Sequence, residues 1–174
     1  TIAHLYNHPC IVAYTIFNEG WGQFDSDSFY EEVKDLDPTR LVDSTSGWFA
    51  QKKSDFDSEH IYFRAKDLQP KIRPMILSEC GGFSLAIEGH RFNTEKSYGY
   101  GACKSKEELT ERIMEMYEKM VLPAIGKGLC GCVYTQLSDV EDEINGLYTY
   151  DREICKVVPE RFTELAQEIE KRIH

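Results

Sequence analysis

Apolar runs that break off into polar, glycine-flanked ends recur along this chain. Residues 11–17 read Ile-Val-Ala-Tyr-Thr-Ile-Phe. A continuous rather than alternating apolar run of this length predicts a strand buried on both faces. It changes abruptly to Asn18-Glu19-Gly20-Trp21-Gly22. Residues 40–45 (Arg-Leu-Val-Asp-Ser-Thr) predict a second strand and residues 60–63 (His-Ile-Tyr-Phe) a short third. Residues 74–79 (Pro-Met-Ile-Leu-Ser-Glu) predict a fourth that repeats the apolar-to-polar break, and residues 129–137 a fifth. A helix is expected over 26–36, with Asp25 as its N-cap and Asp37-Pro38 as its end. Ser105, followed by Glu107 and Glu108, marks a second helix start. Leu109, Ile113, Met116 and Met120 carry that helix on at helical spacing, and Pro123 should kink or end it. A closing helix over 160–173 places Phe162, Leu165, Ile169 and Ile173 on one face.

Strands buried on both faces and joined by crossovers imply a parallel sheet with flanking helices, an α/β fold. Every expected strand turns polar at its C-terminal end: Asn18-Glu19, Asp43-Ser44, Tyr62, Ser78-Glu79, Gln136. Parallel α/β proteins place their chemistry at that end of the sheet. Five strands fall short of the eight that close a (β/α)8 barrel. The chain therefore reads as one domain over residues 1–174, the later five-eighths of such a barrel. It opens on Thr1 rather than Met and is expected to be part of a longer protein.

Composition narrows the classes. The 174 residues are 41% hydrophobic and 29% charged, an ordinary globular balance. A net charge of −10 argues against nucleic-acid and anionic-membrane partners, which need a basic face. No apolar run approaches the ~20 residues of a membrane helix. The spacing Cys130-Gly131-Cys132 is not a zinc pattern. The six cysteines are expected as free thiols in a reducing compartment, which places the chain in the cytoplasm. The acidic run Asp139, Glu141, Asp142, Glu143 offers oxygen ligands for a structural cation but lacks an EF-hand's spacing; it is expected as a solvated loop, with no metal site.

The candidate chemistry lies in two carboxylates. Asn18-Glu19-Gly20 and Ser78-Glu79-Cys80-Gly81-Gly82 each end a strand in a Glu beside a polar residue and glycine. A single strand-end Glu is ordinarily a solvated acid. Two at one rim of a parallel barrel can face one ligand, and glycoside hydrolysis needs such a pair: one protonates the leaving oxygen while the other attacks the anomeric carbon or activates water.

The stretch NHPCIVAYTIFNEGWGQFD followed by ILSECGG resembles glycoside hydrolase family 2, the family of β-galactosidases, β-glucuronidases and β-mannosidases. YTQLSDVEDEINGLYTYDR, residues 134–152, resembles the loop after the last barrel strand of bacterial members. The resemblance implies a partial (β/α)8 TIM barrel, roughly strands four to eight, from the C-terminal part of the catalytic domain. It implies a retaining exo-β-glycosidase, closest to a β-galactosidase, with Glu19 as acid/base and Glu79 as nucleophile. A β-glucuronidase or β-mannosidase of the same family, or a non-catalytic carbohydrate-binding fragment, are the alternatives.

Substrate-binding roles are implied for Asn18, on the sugar 2-hydroxyl, and for Trp21 and Trp48 as stacking platforms. Packing at the core or rim is the other reading of the two tryptophans. Tyr62 is implied to donate to the nucleophile carboxylate. His60, expected on the same face as Tyr62, reads equally as a substrate contact and as a satisfied core histidine. Tyr98-Gly99-Tyr100-Gly101 reads as a pocket rim or as plain loop. No cofactor is required by this chemistry. The partner expected is a carbohydrate substrate, with self-association into a homo-oligomer to cover the open sheet edges.

Overall fold

The computed structural model describes residues 1–62 and 64–173. Its elements run α1 (Ile2–Leu5), β1 (Ala13–Asn18), α2 (Ser26–Leu36), β2 (Leu41–Ser46), β3 (Asp57–Ile61), β4 (Met75–Gly81), α3 (Lys106–Met116), a π turn (Tyr117–Val121), α4 (Leu122–Ile125), β5 (Leu129–Thr135) and α5 (Pro159–Ile173). The strands pair in chain order and all pairs are parallel, β1 with β2 and β3 with β4 with β5. The fold is α/β, with parallel sheets and flanking helices.

The strands form two sheets rather than one. The ladder stops between β2 and β3 because β2 spends that edge on the chain leading into β3. The amide of Asp55 donates to the Val42 carbonyl at 2.8 Å, and the Asp55 carboxylate accepts from the Val42 amide at 2.8 Å. The hydroxyl of Ser58 then reaches Asp43 at 3.1 Å and accepts from the Gly47 amide at 3.2 Å. The third strand accordingly starts earlier than expected. Its polar residues Asp57, Ser58 and Glu59 hide this in the sequence, because each finds a polar partner: Arg73 at 3.3 Å, Asp43, and the lysines 66 and 71 at 3.0 and 2.8 Å. Phe63, at the end of the strand expected over 60–63, lies outside the described residues.

β1 corrects a second expectation, since its residues alternate between half-buried and exposed instead of being buried on both faces. Among the described residues it has a strand on one side only. Asp25 stands at the N-cap of α2, but with a left-handed backbone (φ 44°) and no side-chain cap; its carboxylate accepts from the Ser28 hydroxyl at 3.0 Å. Ser105 does cap α3, accepting from the Glu108 amide at 3.2 Å. Pro123 enters the first turn of α4 behind the π turn, where no proline N–H is needed.

The core lies between β4–β5 and the α3–α4 helices. Leu77, Cys80, Met116, Met120, Val121 and Leu129 form one buried cluster. Leu109, Ile113 and Met114 form a second with Leu85 and Val157, against which Phe162 and Leu165 of α5 pack. Two polar anchors stand outside these clusters. Lys156 and Asp139 form a fully buried ion pair at 2.7 Å, with the ammonium also donating to the carbonyls of Leu85 and Ile144, each at 2.9 Å. This corrects the solvated reading of the acidic run. Asp142 accepts from Asn93 at 2.9 Å and Glu143 from Gln136 at 2.9 Å, while Glu141 alone is exposed. Burial pushes the Asp139 carboxyl up and the Lys156 ammonium down, each opposed by the other's charge. Stranding either charge by removing its partner costs about 3–5 kcal/mol.

The second anchor is Asp37, fully buried after α2. It accepts from the Thr39 amide (3.0 Å) and hydroxyl (2.6 Å), from Arg40 (2.7 Å) and from the Tyr14 hydroxyl (3.0 Å). Arg40 spends its other donors on the carbonyls of Tyr6, His8 and Ile11, tying the N-terminal segment to the base of β1 and β2. Burial pushes the Asp37 carboxyl up, but the bonds from Thr39, Arg40 and Tyr14 outweigh it and hold it at about 2. The unfolded value is about 3.9. The stabilisation from these bonds is therefore present above about pH 4 and lost as pH falls through about 2. Asp37→Asn should lower stability at neutral pH, with a deficit that shrinks as the solution is acidified to about pH 2. Urea unfolding at the two pH values checks this, and a deficit independent of pH would contradict it.

Candidate active site

The C-terminal ends of β1, β3 and β4 converge although they belong to two sheets. Glu19 follows the last residue of β1, and its amide donates to the Ser46 carbonyl of β2 at 3.0 Å. Its backbone is left-handed, with φ 55°, a conformation that costs a non-glycine residue of order 1–3 kcal/mol and persists only where surroundings enforce it. Gly20 continues the turn at φ 79°, with Phe49 packed so closely that a Cβ would stand 2.6 Å from its ring. Glu79 lies inside β4, one residue before Cys80. Alternation along the strand sends Cys80 into the core beside Cys132 and leaves Glu79 on the other face.

His60 sits between the two carboxylates, its side chain closed to solvent. Its Nδ1 lies 2.7 Å from Glu19 Oε1 and 3.4 Å from Glu79 Oε2. One carboxylate oxygen each of Glu19 and Glu79 and a nitrogen of His60 fall within 4.8 Å of one another. The far side of the ring is equally committed: Nε2 lies 3.0 Å from Ser46 Oγ, which donates to Ser78 Oγ at 2.9 Å. Gly47, at φ 84°, passes directly over the ring, and a Cβ there would stand 2.5 Å from it. The imidazole is thus fixed in plane and in position.

The Tyr62 hydroxyl donates to Glu79 Oε2 and lies 3.5 Å from Thr135 Oγ1 at the end of β5. Burial and the Glu79 charge push the Tyr62 phenol up, so it remains a donor. Its ring stacks on Tyr100 at 4.2 Å, and Tyr98 meets Tyr100 edge-on at 5.4 Å. The Lys156 anchor fixes the start of the loop that carries them, through Leu85. Of the two readings of residues 98–101, the structure gives the rim. Gly82 permits the approach, for a Cβ there would stand 2.5 Å from the Tyr100 ring.

Of the site residues expected from the sequence, the fold brings Glu19, Glu79, His60 and Tyr62 into hydrogen-bonded contact. Trp48 stands at the margin, half exposed, its ring 6.3 Å from His60. Trp21 is 80% exposed and Asn18 lies on the open rim. Sequence reasoning missed Ser46, Ser78 and Thr135 as site residues. Only Ser78 carried a faint signal, standing beside the candidate acid Glu79. A groove of about 310 Å3 bounded by Ile61, Tyr62, Arg64, Phe83, Arg112 and Met120 meets the site only at Tyr62, and neither glutamate lines it.

Two groups among the described residues bring three potential donor atoms together: Glu19, His60 and Glu79, and His90, Asp151 and Glu153. In each, the histidine is already hydrogen-bonded to a carboxylate at 2.7 Å, and neither group is assigned an ion. No helix of the described residues is long and apolar enough to cross a membrane.

Chemically, the arrangement offers two carboxylates at close range, one carrying a tyrosine donor and both facing one imidazole, at an open rim with aromatic borders. Residues 1–80, which include both glutamates, match the family model described as glycosyl hydrolases family 2, TIM barrel domain. Residues 81–174 lie beyond that match. No curated protein matches the chain.

Proposed function

We propose that the chain, whose residues 1–80 match the family 2 glycosyl hydrolase TIM barrel model, carries the catalytic pair of a retaining exo-β-glycosidase, and that its five strands are roughly strands four to eight of that barrel. The single domain 1–174 is then the C-terminal portion of the catalytic barrel. The observation that carries this reading is the placement of Glu19 and Glu79 oxygens within 4.8 Å of each other at the C-terminal rim of parallel strands. Retaining glycosidases hold their carboxyl groups about 5–5.5 Å apart, whereas inverting ones need about 6.5–9.5 Å to admit a water.

In the first step Glu79 attacks the anomeric carbon. The glycosidic C–O bond breaks as Glu19 gives its proton to the departing oxygen, leaving a glycosyl ester on Glu79 and Glu19 ionised. In the second step Glu19 takes a proton from water, whose oxygen attacks the anomeric carbon and frees Glu79. Tyr62 supports the role of Glu79 by donating to its ionised form, holding the attacking oxygen in place. Asn18, Trp21 and Trp48 stand on the open side, where a terminal sugar would enter. We assign them to sugar binding, Asn18 to the 2-hydroxyl and the indoles to the C–H faces.

Among family members the reading proposed is a β-galactosidase. β-Glucuronidase and β-mannosidase are the alternatives, and a panel of nitrophenyl glycosides on the full-length protein decides between them. The six thiols, none of them paired among the described residues, support a cytoplasmic location. Glu79→Gln in the full-length protein should lower kcat on the order of 10⁴-fold or more. Glu19→Gln should lower it about 10²–10⁴-fold, with the smaller loss on nitrophenyl leaving groups that need little protonation. Retention of most activity by Glu79→Gln would sink the assignment.

Among the described residues β1 and β5 each pair on one side only, and Val12, Val133 and Leu137 near those edges are exposed. This favours a second reading for the isolated chain, a fragment that holds sugar weakly, hydrolyses little and self-associates through its open edges. Size-exclusion chromatography should then give a mass of at least two chains; a clean monomer that turns over nitrophenyl glycosides would refute it.

A further inference from the structure

A further carboxylate stands at the rim, unused by the retaining pair. Gln136 follows Thr135, the last residue of β5, whose hydroxyl lies 3.5 Å from that of Tyr62. Gln136 Nε2 donates to Glu143 Oε2 at 2.9 Å and to Asn145 Oδ1 at 2.8 Å, and Asn145 Nδ2 lies 3.5 Å from the same Glu143 oxygen. The backbone holds these residues too: the Leu147 amide donates to the Gln136 carbonyl and the Ile144 amide to the Tyr98 carbonyl, each at 3.0 Å. Glu143 is thus clamped, half-buried, on the β5 side of the site. Its Oε1 makes no hydrogen bond among the described residues. Tyr100 links it to the catalytic pair. Burial and the Tyr98 hydroxyl push the Tyr100 phenol up, and the charges of Glu19 and Glu143 both add to this. The same ring stacks on Tyr62, the donor to Glu79.

Position across the strands decides what Glu143 meets. The anomeric carbon has two ring neighbours, C2 and the ring oxygen. Glu79 on β4 attacks that carbon, and Asn18 at the end of β1 is assigned the 2-hydroxyl. The C2 side of the sugar then faces β1, so the ring-oxygen side, with the substituent on C5, faces β5. We propose that Glu143 reads that substituent, accepting a hydrogen bond from the hydroxymethyl group of a neutral hexoside and repelling the carboxylate of a uronide. The proposal rests on the retaining reading above and deepens it by naming the substrate class. The surrounding charges agree with it. Lys156 reaches the Ile144 carbonyl, one residue from Glu143, but its three donors are spent on Asp139, Leu85 and Ile144. Among the described residues no lysine or arginine pairs with Glu19, Glu79 or Glu143, and the ion-pair partner of the catalytic glutamates is His60. A uronide would bring another anion against Glu143, and like charges set together reject a ligand. A hydroxyl held by a clamped acceptor is favoured over an analogue that lacks it.

Nitrophenyl substrates that differ only at C5 test it in the full-length protein. The β-D-galactoside and the α-L-arabinopyranoside share their ring stereochemistry, and the second lacks the hydroxymethyl group. The β-D-glucoside and β-D-xyloside form a second such pair, and the β-D-glucuronide carries a carboxylate at the same carbon. Glu143→Gln should lower kcat/KM for the hexosides about tenfold. The pentosides, which offer Glu143 nothing to hold, should change by no more than about twofold. The glucuronide should instead gain about tenfold, because the repulsion is gone. Glu143→Asp, which keeps the charge, should leave the glucuronide as poor a substrate as in wild type. A structural role would lower all three classes together. Such an equal loss, or a wild-type protein that hydrolyses the glucuronide as well as its best hexoside, would overturn the proposal. If Glu79→Gln abolishes activity while Glu143→Gln leaves the discrimination at C5 unchanged, the glycosidase reading stands and this inference falls. If Glu79→Gln remains active, the catalytic reading falls, however Glu143 sorts the substrates.

Discussion

The hydrogen bond between His60 and Glu19, with Glu79 3.4 Å from the same nitrogen, is the joint on which the site depends. Glu19 ends a strand of one sheet, and His60 and Glu79 stand on strands of the other. Among the described residues no backbone ladder joins the strands of those sheets, so at the rim side chains set the distance across the seam. His60 bridges it at the ring's Nδ1, the Ser46–Ser78 contact bridges it at Nε2, and Ser58 bridges it one layer below through Asp43. The two carboxylates are close because this polar stitching holds them so, and the strained backbone at Glu19 is tolerated for the same reason.

The far end of the strands has a different task. Asp37 and Arg40 lock the N-terminal segment to the base of β1 and β2. The buried Lys156–Asp139 pair draws the loops after β4 and β5 together, and with them the tyrosines that cover Tyr62. Base anchors fix where the strands stand, loop anchors fix what closes over them, and the two carboxylates sit between. This division is common to parallel α/β folds, where the C-terminal rim carries function and the opposite face carries stability.

Much of this was legible in the sequence, for identifiable reasons. The change from Ile16-Phe17 to Asn18-Glu19-Gly20, and from Ile76-Leu77 to Ser78-Glu79, marks a strand leaving the core at a functional rim. Periodicity placed α3 and its buried Leu109 and Ile113. Other features could not be read locally. β3 looked too polar to begin at Asp57 because its partners lie on other segments. Asp139 looked solvated because Lys156, which buries it, comes 17 residues later. Ser46 and Ser78 are 32 residues apart, and nothing in either neighbourhood announces that they meet behind an imidazole. Alternation put His60 and Tyr62 on one face, yet it carries no information about which strand lies opposite.

The central claim is that Glu79 forms a covalent bond to the sugar while Glu19 handles protons. The most direct test is to trap that bond. The full-length protein is treated with a 2-fluoro glycoside bearing an activated leaving group, which slows hydrolysis of the ester more than its formation, and digested for peptide mass analysis. The account predicts one sugar per active chain, attached to Glu79. A label on Glu19, or full turnover with inverted anomeric configuration and no label, would contradict it.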